Sequence, residues 1–303
     1  MGKLLFTIVF WASFLAPVKA AESFCPGESS HDSNVIFCDS FESGSGQNFD
    51  TGAYDSYNTD DDNGDLRRSS NESIEGDFSL QTNWQAGEQE AGALEVHFGR
   101  SPIPTSISPS EDFKEIYWRW YVKYPANFEG FPDKYSRMMV YGDANRAQAM
   151  IAHVWGDDNN TRILVGDPVS GIDSGSSLVT TSWNSGPFQW LGKLLTSTAM
   201  IKGEWVCIEA RVKLNDPNLS NGVFEIFIDD NLEVSRVDLN WIGNWQDYGI
   251  NSLHMSNYWN GSGSPKIQSR YLDALVISKS KIGCGAHSMQ VRPNSPVDLE
   301  IVN

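Results

Sequence analysis

The sequence predicts an all-β protein, a β-sandwich or jelly roll, on three observations. Short runs rich in branched and aromatic residues alternate apolar with polar side chains, as half-buried strands do. Turn chemistry separates those runs, as at Asp216-Pro217, Asn221-Gly222 and Asp229-Asp230-Asn231. Helical periodicity is scarce, and no linker or fixed-period repeat divides the chain, so the strands belong to one domain.

Taken in order, Asn34–Phe37 is the first strand-like run and Gly92–Phe98 the second. In Glu115–Tyr124, Tyr117, Arg119, Tyr121 and Lys123 share one face, while Trp118, Trp120 and Val122 share the other. Tyr135–Tyr141, Gln148–Trp155 and Arg162–Val165 follow as strands. Trp205–Leu214 sends Val206, Ile208, Ala210, Val212 and Leu214 one way, and Cys207, Glu209, Arg211 and Lys213 the other. One packed and one wet face is expected of such outer layers. Val223–Ile228 lies between two turns, and two C-terminal runs complete the set, Ile250–Gly261 and Arg270–Ser278. The segment Asn58–Ser70 mimics a calcium loop. With Gly64 at its sixth position, however, Thr59 and Ser70 fall where carboxylates are required, so it reads as a solvated acidic loop.

Residues 1–20 read as a signal peptide, with Lys3, an apolar run from Leu4 to Ala16, and the small-x-small site Val18-Lys19-Ala20. The run is too short to span a membrane comfortably. The mature chain is therefore expected to be secreted (extracellular or periplasmic), with a domain over 21–285 and a loosely ordered tail over 286–303. Cys25, Cys38, Cys207 and Cys284 make an even number in an oxidising compartment, which allows three pairings. Cys25–Cys38 as a short clip and Cys207–Cys284 as a tie between late strands is the favoured one. No C-x-x-C spacing supports zinc. Cleavage removes Lys3 and Lys19, leaving 20 of the 22 Lys+Arg against 39 Asp+Glu, a balance of −19. Such a charge disfavours nucleic acid as a partner. It also requires any polyanionic substrate to be met by a local basic cluster.

A strand carrying His254, Ser256 and Tyr258 on one face presents an imidazole, a hydroxyl and an aromatic ring to one space, the equipment of a sugar-processing cleft. Hydrolysis of a glycoside needs two facing carboxylates. The Glu-x-Asp-x-x-Glu spacing of jelly-roll glucanases is missing, as is a G-x-S-x-G elbow. β-Elimination on a uronic acid needs other groups. A cation or amide neutralises the carboxylate, a base takes the C5 proton, and an acid protonates the leaving oxygen. Arg119 and Tyr121, Lys134 and Arg137, His153, and His254 with Tyr258 are of those types in strand contexts, and His97 is a further strand histidine.

Several motifs resemble the concanavalin A-like jelly-roll polysaccharide lyases, of the alginate and glucuronan lyase type. They are Asp39-Ser-Phe-Glu42, the Tyr-Trp-Arg-Trp-Tyr-Val-Lys-Tyr strand, Lys134 before Met-Met-Val-Tyr-Gly, and Asn221-Gly222 before Ile-Asp-Asp. The Ser-x-aromatic-aromatic-x-Gly ending at Gly261 and the closing Tyr-Leu-Asp strand extend the resemblance over roughly Phe37 to Gly283. It implies a concanavalin A-like jelly-roll β-sandwich of two antiparallel sheets with a groove on a concave sheet, the cleft arginine at Arg119, the strand lysine at Lys134 and the C-terminal aromatic at Tyr258.

The expectation is a monomeric lyase on an acidic polysaccharide, with Arg119, Lys134, Arg137, His153 and Tyr258 as catalytic residues. His97, Tyr121, His254 and Trp259 are expected to bind substrate. The chemistry requires no cofactor. Asp39, Glu42 and Asp273 are candidate ligands of a structural calcium, being hard oxygen donors near two strand ends. Arg162–Val165 lacks the tyrosine pair usual in such lyases, and the charge is strongly negative. A non-catalytic, lectin-like glycan-binding protein on the same scaffold is therefore the alternative.

Overall fold

The computed structural model describes residues 25, 33–60, 64–157 and 161–285. The proposed signal peptide and C-terminal tail lie outside the described residues. The opening strands are β1 (Val35–Asp39), β2 (Gly44–Ser45), β3 (Asn48–Phe49), β4 (Ser56–Asn58), β5 (Leu66–Ser69), β6 (Ser79–Trp84) and β7 (Glu90–His97). The middle strands are β8 (Glu115–Lys123), β9 (Lys134–Tyr141), β10 (Gln148–Gly156), β11 (Leu164–Ser170), β12 (Gln189–Trp190) and β13 (Leu194–Leu195). The last are β14 (Trp205–Lys213), β15 (Gly222–Ile228), β16 (Asn231–Leu239), β17 (Ser252–Tyr258) and β18 (Gln268–Ser278).

Two eight-stranded sheets result. One runs β16-β15-β14-β8-β18-β6-β5, with β1 also on β18, and the other runs β12-β11-β10-β9-β17-β7-β4, with β13 also on β11. Every strand pair in them is antiparallel, giving the expected jelly-roll sandwich. The core between them takes one face of each sheet. Trp118, Trp120 and Val122 of β8 and Val206, Ile208, Ala210 and Val212 of β14 meet Leu94, Met138, Val140, Ala152, Leu253 and Met255 of the second sheet. Burial of these large apolar side chains supplies the main drive to stack the sheets, about 1.5–3 kcal/mol for each fully buried one.

The predicted inward faces of β8 and β14 are as expected, but the middle of their outer faces is covered: Arg119, Tyr121, Cys207 and Glu209 are buried, while Tyr117, Lys123, Arg211 and Lys213 stay partly exposed. Segment 279–284 crosses these faces. The Glu209 carboxylate accepts the Ile282 and Gly283 N–H groups at 2.7 and 3.0 Å, and Asp230 accepts Cys284 N–H at 3.0 Å. The Cys207–Cys284 disulfide closes the seam, and Cys25–Cys38 forms the second bridge, so both favoured pairings are present. Leu66–Ser69 also departs from expectation. It is a strand rather than part of a solvated loop, with Arg68 buried and donating to the Phe41 and Glu42 carbonyls.

Candidate functional site

The second sheet turns its other face outward, and antiparallel register aligns one polar row across it. Glu95 pairs with His254, His254 with Arg137, Arg137 with His153, and His153 with Asp167. Directly opposed residues project to the same face, so five strands contribute to one line of groups. A second row places Tyr258 opposite Lys134 and Glu90. Part of this face is a groove of about 410 Å³, lined among others by Tyr57, Glu95, Lys134, Arg137, His254 and Tyr258. Gly92 lets the edge strand close its wall. Its φ is +85°, and a Cβ there would stand 2.5 Å from the Asn58 carbonyl oxygen.

The rest of the face is roofed by the segment between β11 and β12. Its tip is the turn Ser182-Trp183-Asn184-Ser185, closed by Ser185 N–H on the Ser182 carbonyl at 3.1 Å, with Asn184 at φ +52°. Asn tolerates that left-handed conformation better than most residues. The buried Gln148 side chain anchors the tip by accepting Asn184 N–H at 3.0 Å. Trp183 then lies against both Arg137 and His254, its ring centre 5.1 Å from the guanidinium carbon and 5.0 Å from the imidazole centre.

Arg137 is 5 % exposed. Its Nη1 donates to Asn184 Oδ1 at 2.9 Å, its Nε has no hydrogen-bond partner, and no ion pair reaches it among the described residues. Burial brings its guanidinium down to about 10, against smaller opposing effects of Tyr141 and Glu95. Other buried arginines are used differently. Arg270 donates to Tyr124, Ser256 and Asn257 inside the sandwich, and Arg68 to backbone carbonyls.

Glu95 is fully engaged. Tyr141 and Ser252 hydroxyls donate to it at 2.5 and 3.0 Å, Arg146 pairs with it at 2.9 Å, and His97 Nε2 lies 3.2 Å away. Burial alone would raise this carboxyl. The His97 and Tyr141 interactions outweigh burial and hold it at about 2. Burial, reinforced by Arg137, Arg146 and Lys134 against Glu95, brings His254 down to about 4 and keeps its imidazole neutral. Lys134 has its ammonium 4.0 Å from the centre of the Tyr258 ring, and burial with the nearby Arg137 lowers its proton affinity. Lys134, Arg137 and Arg146 thus meet Glu90 and Glu95 at one groove, three cations against two carboxylates in a chain whose formal charge is −17.

Of the expected catalytic residues, the structure brings Lys134, Arg137 and Tyr258 to the groove, with His254 from the expected binding set. His153 shares the face but is 3 % exposed. It lies 4.2 and 6.1 Å from the Trp155 and Trp190 rings, and its Nδ1 hydrogen-bonds the Asp167 carbonyl at 2.9 Å. Burial, with Arg137 beside it, pushes that imidazole well below its ordinary value. Arg119 is on the opposite sheet, 2 % exposed, donating to the Gly283 and Ala274 carbonyls at 3.0 and 3.2 Å. It fastens the C-terminal segment and is not a cleft arginine. Tyr121 is beside it and donates to the Cys284 carbonyl, so it faces no groove. Trp259 is in the core, against Trp84 and Phe128. His97 is buried beside Glu95, against the Tyr141 ring.

Asp39 accepts from Phe41 N–H and Tyr54 hydroxyl, Glu42 from Asp77 and Phe78 N–H, and Asp273 from Ile74 and Ala274 N–H. These carboxylates serve the chain's own donors and are not gathered as a ligand set. Among the described residues no group of three or more His, Cys, Asp or Glu could hold a metal ion. Sequence reasoning passed over Trp183, Asn184, Glu95 and Arg146. Ser182-Trp-Asn-Ser-Gly186 carries a turn signal, and Glu95 alternates with His97, but neither fact says what the side chains meet.

The fold, two stacked antiparallel sheets, is that of the jelly-roll polysaccharide lyases. Among solved structures it is similar to the endo-β-1,4-glucuronan lyase of the fungus Trichoderma reesei, with a TM-score of 0.55 at 13 % identity, covering 81 % of this chain and 96 % of that one. It is also similar to the marine PL-14 alginate lyase of Aplysia kurodai, with a TM-score of 0.59 at 11 % identity, covering 80 % and 98 %. A Chlorella virus alginate lyase gives 0.53 at 13 % identity, covering 76 % and 94 %. No family model and no curated protein matches the sequence.

Proposed function

We propose that this protein is a secreted polysaccharide lyase that cleaves a uronate-containing polysaccharide by β-elimination. The observation that carries the reading is Arg137, a nearly buried guanidinium that lines the groove without a carboxylate partner among the described residues. A buried charge is ordinarily paired. Unspent donors at a groove therefore mark a place for an external anion, and a planar guanidinium fits a carboxylate in two-point fashion. The glucuronan and alginate lyases of the same fold support this choice of substrate class. Two disulfides support an oxidising, extracellular setting. No helix among the described residues is long and apolar enough to cross a membrane.

In the proposed reaction Arg137 holds the uronate carboxylate and stabilises the negative charge that develops as the C5 proton leaves. Tyr258, on the groove, takes that proton on its phenolic oxygen, its own hydroxyl proton having passed to solvent. The C4–O bond then breaks, a C4–C5 double bond forms, and the tyrosine returns the proton to the leaving oxygen. Lys134 supplies a positive charge beside the ring throughout the transfer. His254, neutral at pH 7, offers substrate hydroxyls an uncharged acceptor. His153, roofed and engaged with Asp167, is set aside as the base.

A panel of uronate polysaccharides, followed by ultraviolet absorbance of unsaturated product, tests the proposal. One polymer should give rising absorbance, and a flat trace on all of them overturns the lyase reading. The second reading is glycan binding without turnover. It is favoured by Tyr57 and Trp183 on the groove and by Trp190, 58 % exposed beyond it, as stacking surfaces. A flat trace with retained polymer binding selects it.

A further inference from the structure

We propose that the tip turn Ser182–Ser185 is the specificity element of the groove, in which Asn184 aims the Arg137 guanidinium and completes with it a receptor for a carboxylate rather than for a neutral sugar. The inference rests on the groove being a uronate site, whether or not turnover follows. Arg137 reaches the groove from the floor of the sheet, on β9, while Asn184 reaches it from the roof. Their contact is a single hydrogen bond of 2.9 Å to the amide oxygen, which fixes one edge of the guanidinium. Asn184 is exposed at the groove, and its amide N–H groups, without a hydrogen-bond partner among the described residues, are open to a ligand there. Arg137 from the floor and Asn184 from the roof thus meet at the groove, where the Asn184 amide oxygen is the guanidinium's one hydrogen-bond acceptor among the described residues.

The position is built. Gln148, fully buried between strands, spends its carbonyl on the Asn184 backbone N–H, and its amide faces Met139 Sδ at 3.2 Å. Trp183 covers the guanidinium and the His254 ring from the same turn, limiting water there. Hydrogen bonds to a charged partner are stronger in such a site than in water. An aspartate at the tip would satisfy Arg137 internally and close the receptor. Asparagine orients the cation without neutralising it.

The test compares binding of a polyuronate with binding of the same polymer after its carboxyl groups are reduced to alcohols, by calorimetry. Removing the amide in N184A should weaken polyuronate binding about 10-fold, as expected for loss of one charge-assisted contact. The reduced polymer should bind as it does to the native chain. N184D should lose about 10²-fold against polyuronate, because its carboxylate competes for Arg137. N184G retains the positive φ and lacks the amide, so it should behave as N184A. If N184G binds as the native protein does, the effect lay in the backbone and the proposal fails. Equal losses for both polymers, or N184D no worse than N184A, overturn it too. Polyuronate binding that follows this pattern without product formation would remove the lyase reading and keep the receptor. No polyuronate binding to the native chain would remove both.

Discussion

Replacing Arg137 with methionine should make the protein more stable and cost it its ligand. The guanidinium is held at about 10 against an ordinary 12.5, chiefly by burial. Each tenfold change in proton affinity is worth about 1.4 kcal/mol, so keeping this group charged in the fold costs about 3 kcal/mol. For a base whose folded value is depressed, that cost is fully present below about 10 and disappears above the unfolded value, so pH 7 carries all of it. Methionine removes the charge and keeps much of the length. It gives up the Asn184 hydrogen bond and the Trp183 ring contact, together about 1.5–2 kcal/mol. The net gain is about 1 kcal/mol, or ~2–4 °C in melting temperature for a domain of this size. Polyuronate kcat/KM should fall at least about 10²-fold, as for loss of a two-point carboxylate contact. Arg119→Met should do the reverse. It strips partners from the Gly283 and Ala274 carbonyls, at about 1–3 kcal/mol for each buried acceptor left unpaired, and leaves groove binding unchanged. Calorimetric melting with polymer-binding assays on both variants decides the matter. A lower melting temperature for R137M with intact binding would show Arg137 to be structural and refute the reasoning.

Tyr258→Phe should abolish most turnover while leaving polymer affinity within a few fold, since the ring beside Lys134 remains; near-native kcat by the ultraviolet assay removes the tyrosine from the mechanism. The pH dependence of stability has two parts. His254 is depressed from 6.5 to about 4 and Glu95 from 4.5 to about 2, so in both cases the unfolded chain takes up the proton first. Stability should therefore fall as pH drops from 6.5 towards 4 through His254, and again from 4.5 towards 2 through Glu95. Carbon-bound proton shifts of His254 should titrate near 4, and a midpoint near 6.5 would contradict the burial account. Removing the Cys207–Cys284 bridge by a double serine substitution should cost about 2–4 kcal/mol and expose the segment over Arg119 to hydrogen exchange. Unchanged exchange at residues 279–284 would show that Glu209 and Asp230 hold the segment without it.

Alternation made the sandwich legible because β8 and β14 each bury one face in the main core. It failed where burial does not depend on apolar side chains. Ser79–Trp84 is a strand covered on both sides, yet it reads Ser-Leu-Gln-Thr-Asn-Trp, its polar groups satisfied by Asn257, Ser269 and neighbouring strands. Asn231–Leu239 is a largely exposed edge strand with little apolar signal. The run expected at Arg162–Val165 instead spans Leu164–Ser170, through Gly166-Asp167-Pro168, residues that read as a turn.

The site was legible only as far as one strand determines its own faces. His254 and Tyr258 share a face in sequence and in the groove, and strict alternation from Tyr258 already sends Trp259 to the core. Arg119 and Arg137 look alike in sequence, each an arginine among aromatic or apolar neighbours in an alternating strand. What separates them is a covering element far along the chain. Over Arg119 it is segment 279–284, tied by a disulfide across 77 residues, whose carbonyl takes up the guanidinium donors. Over Arg137 it is a turn 47 residues away that offers a single amide oxygen. The number of acceptors a covering segment brings decides whether a buried arginine is a fastener or a receptor, and that number becomes visible only when the cover is in place.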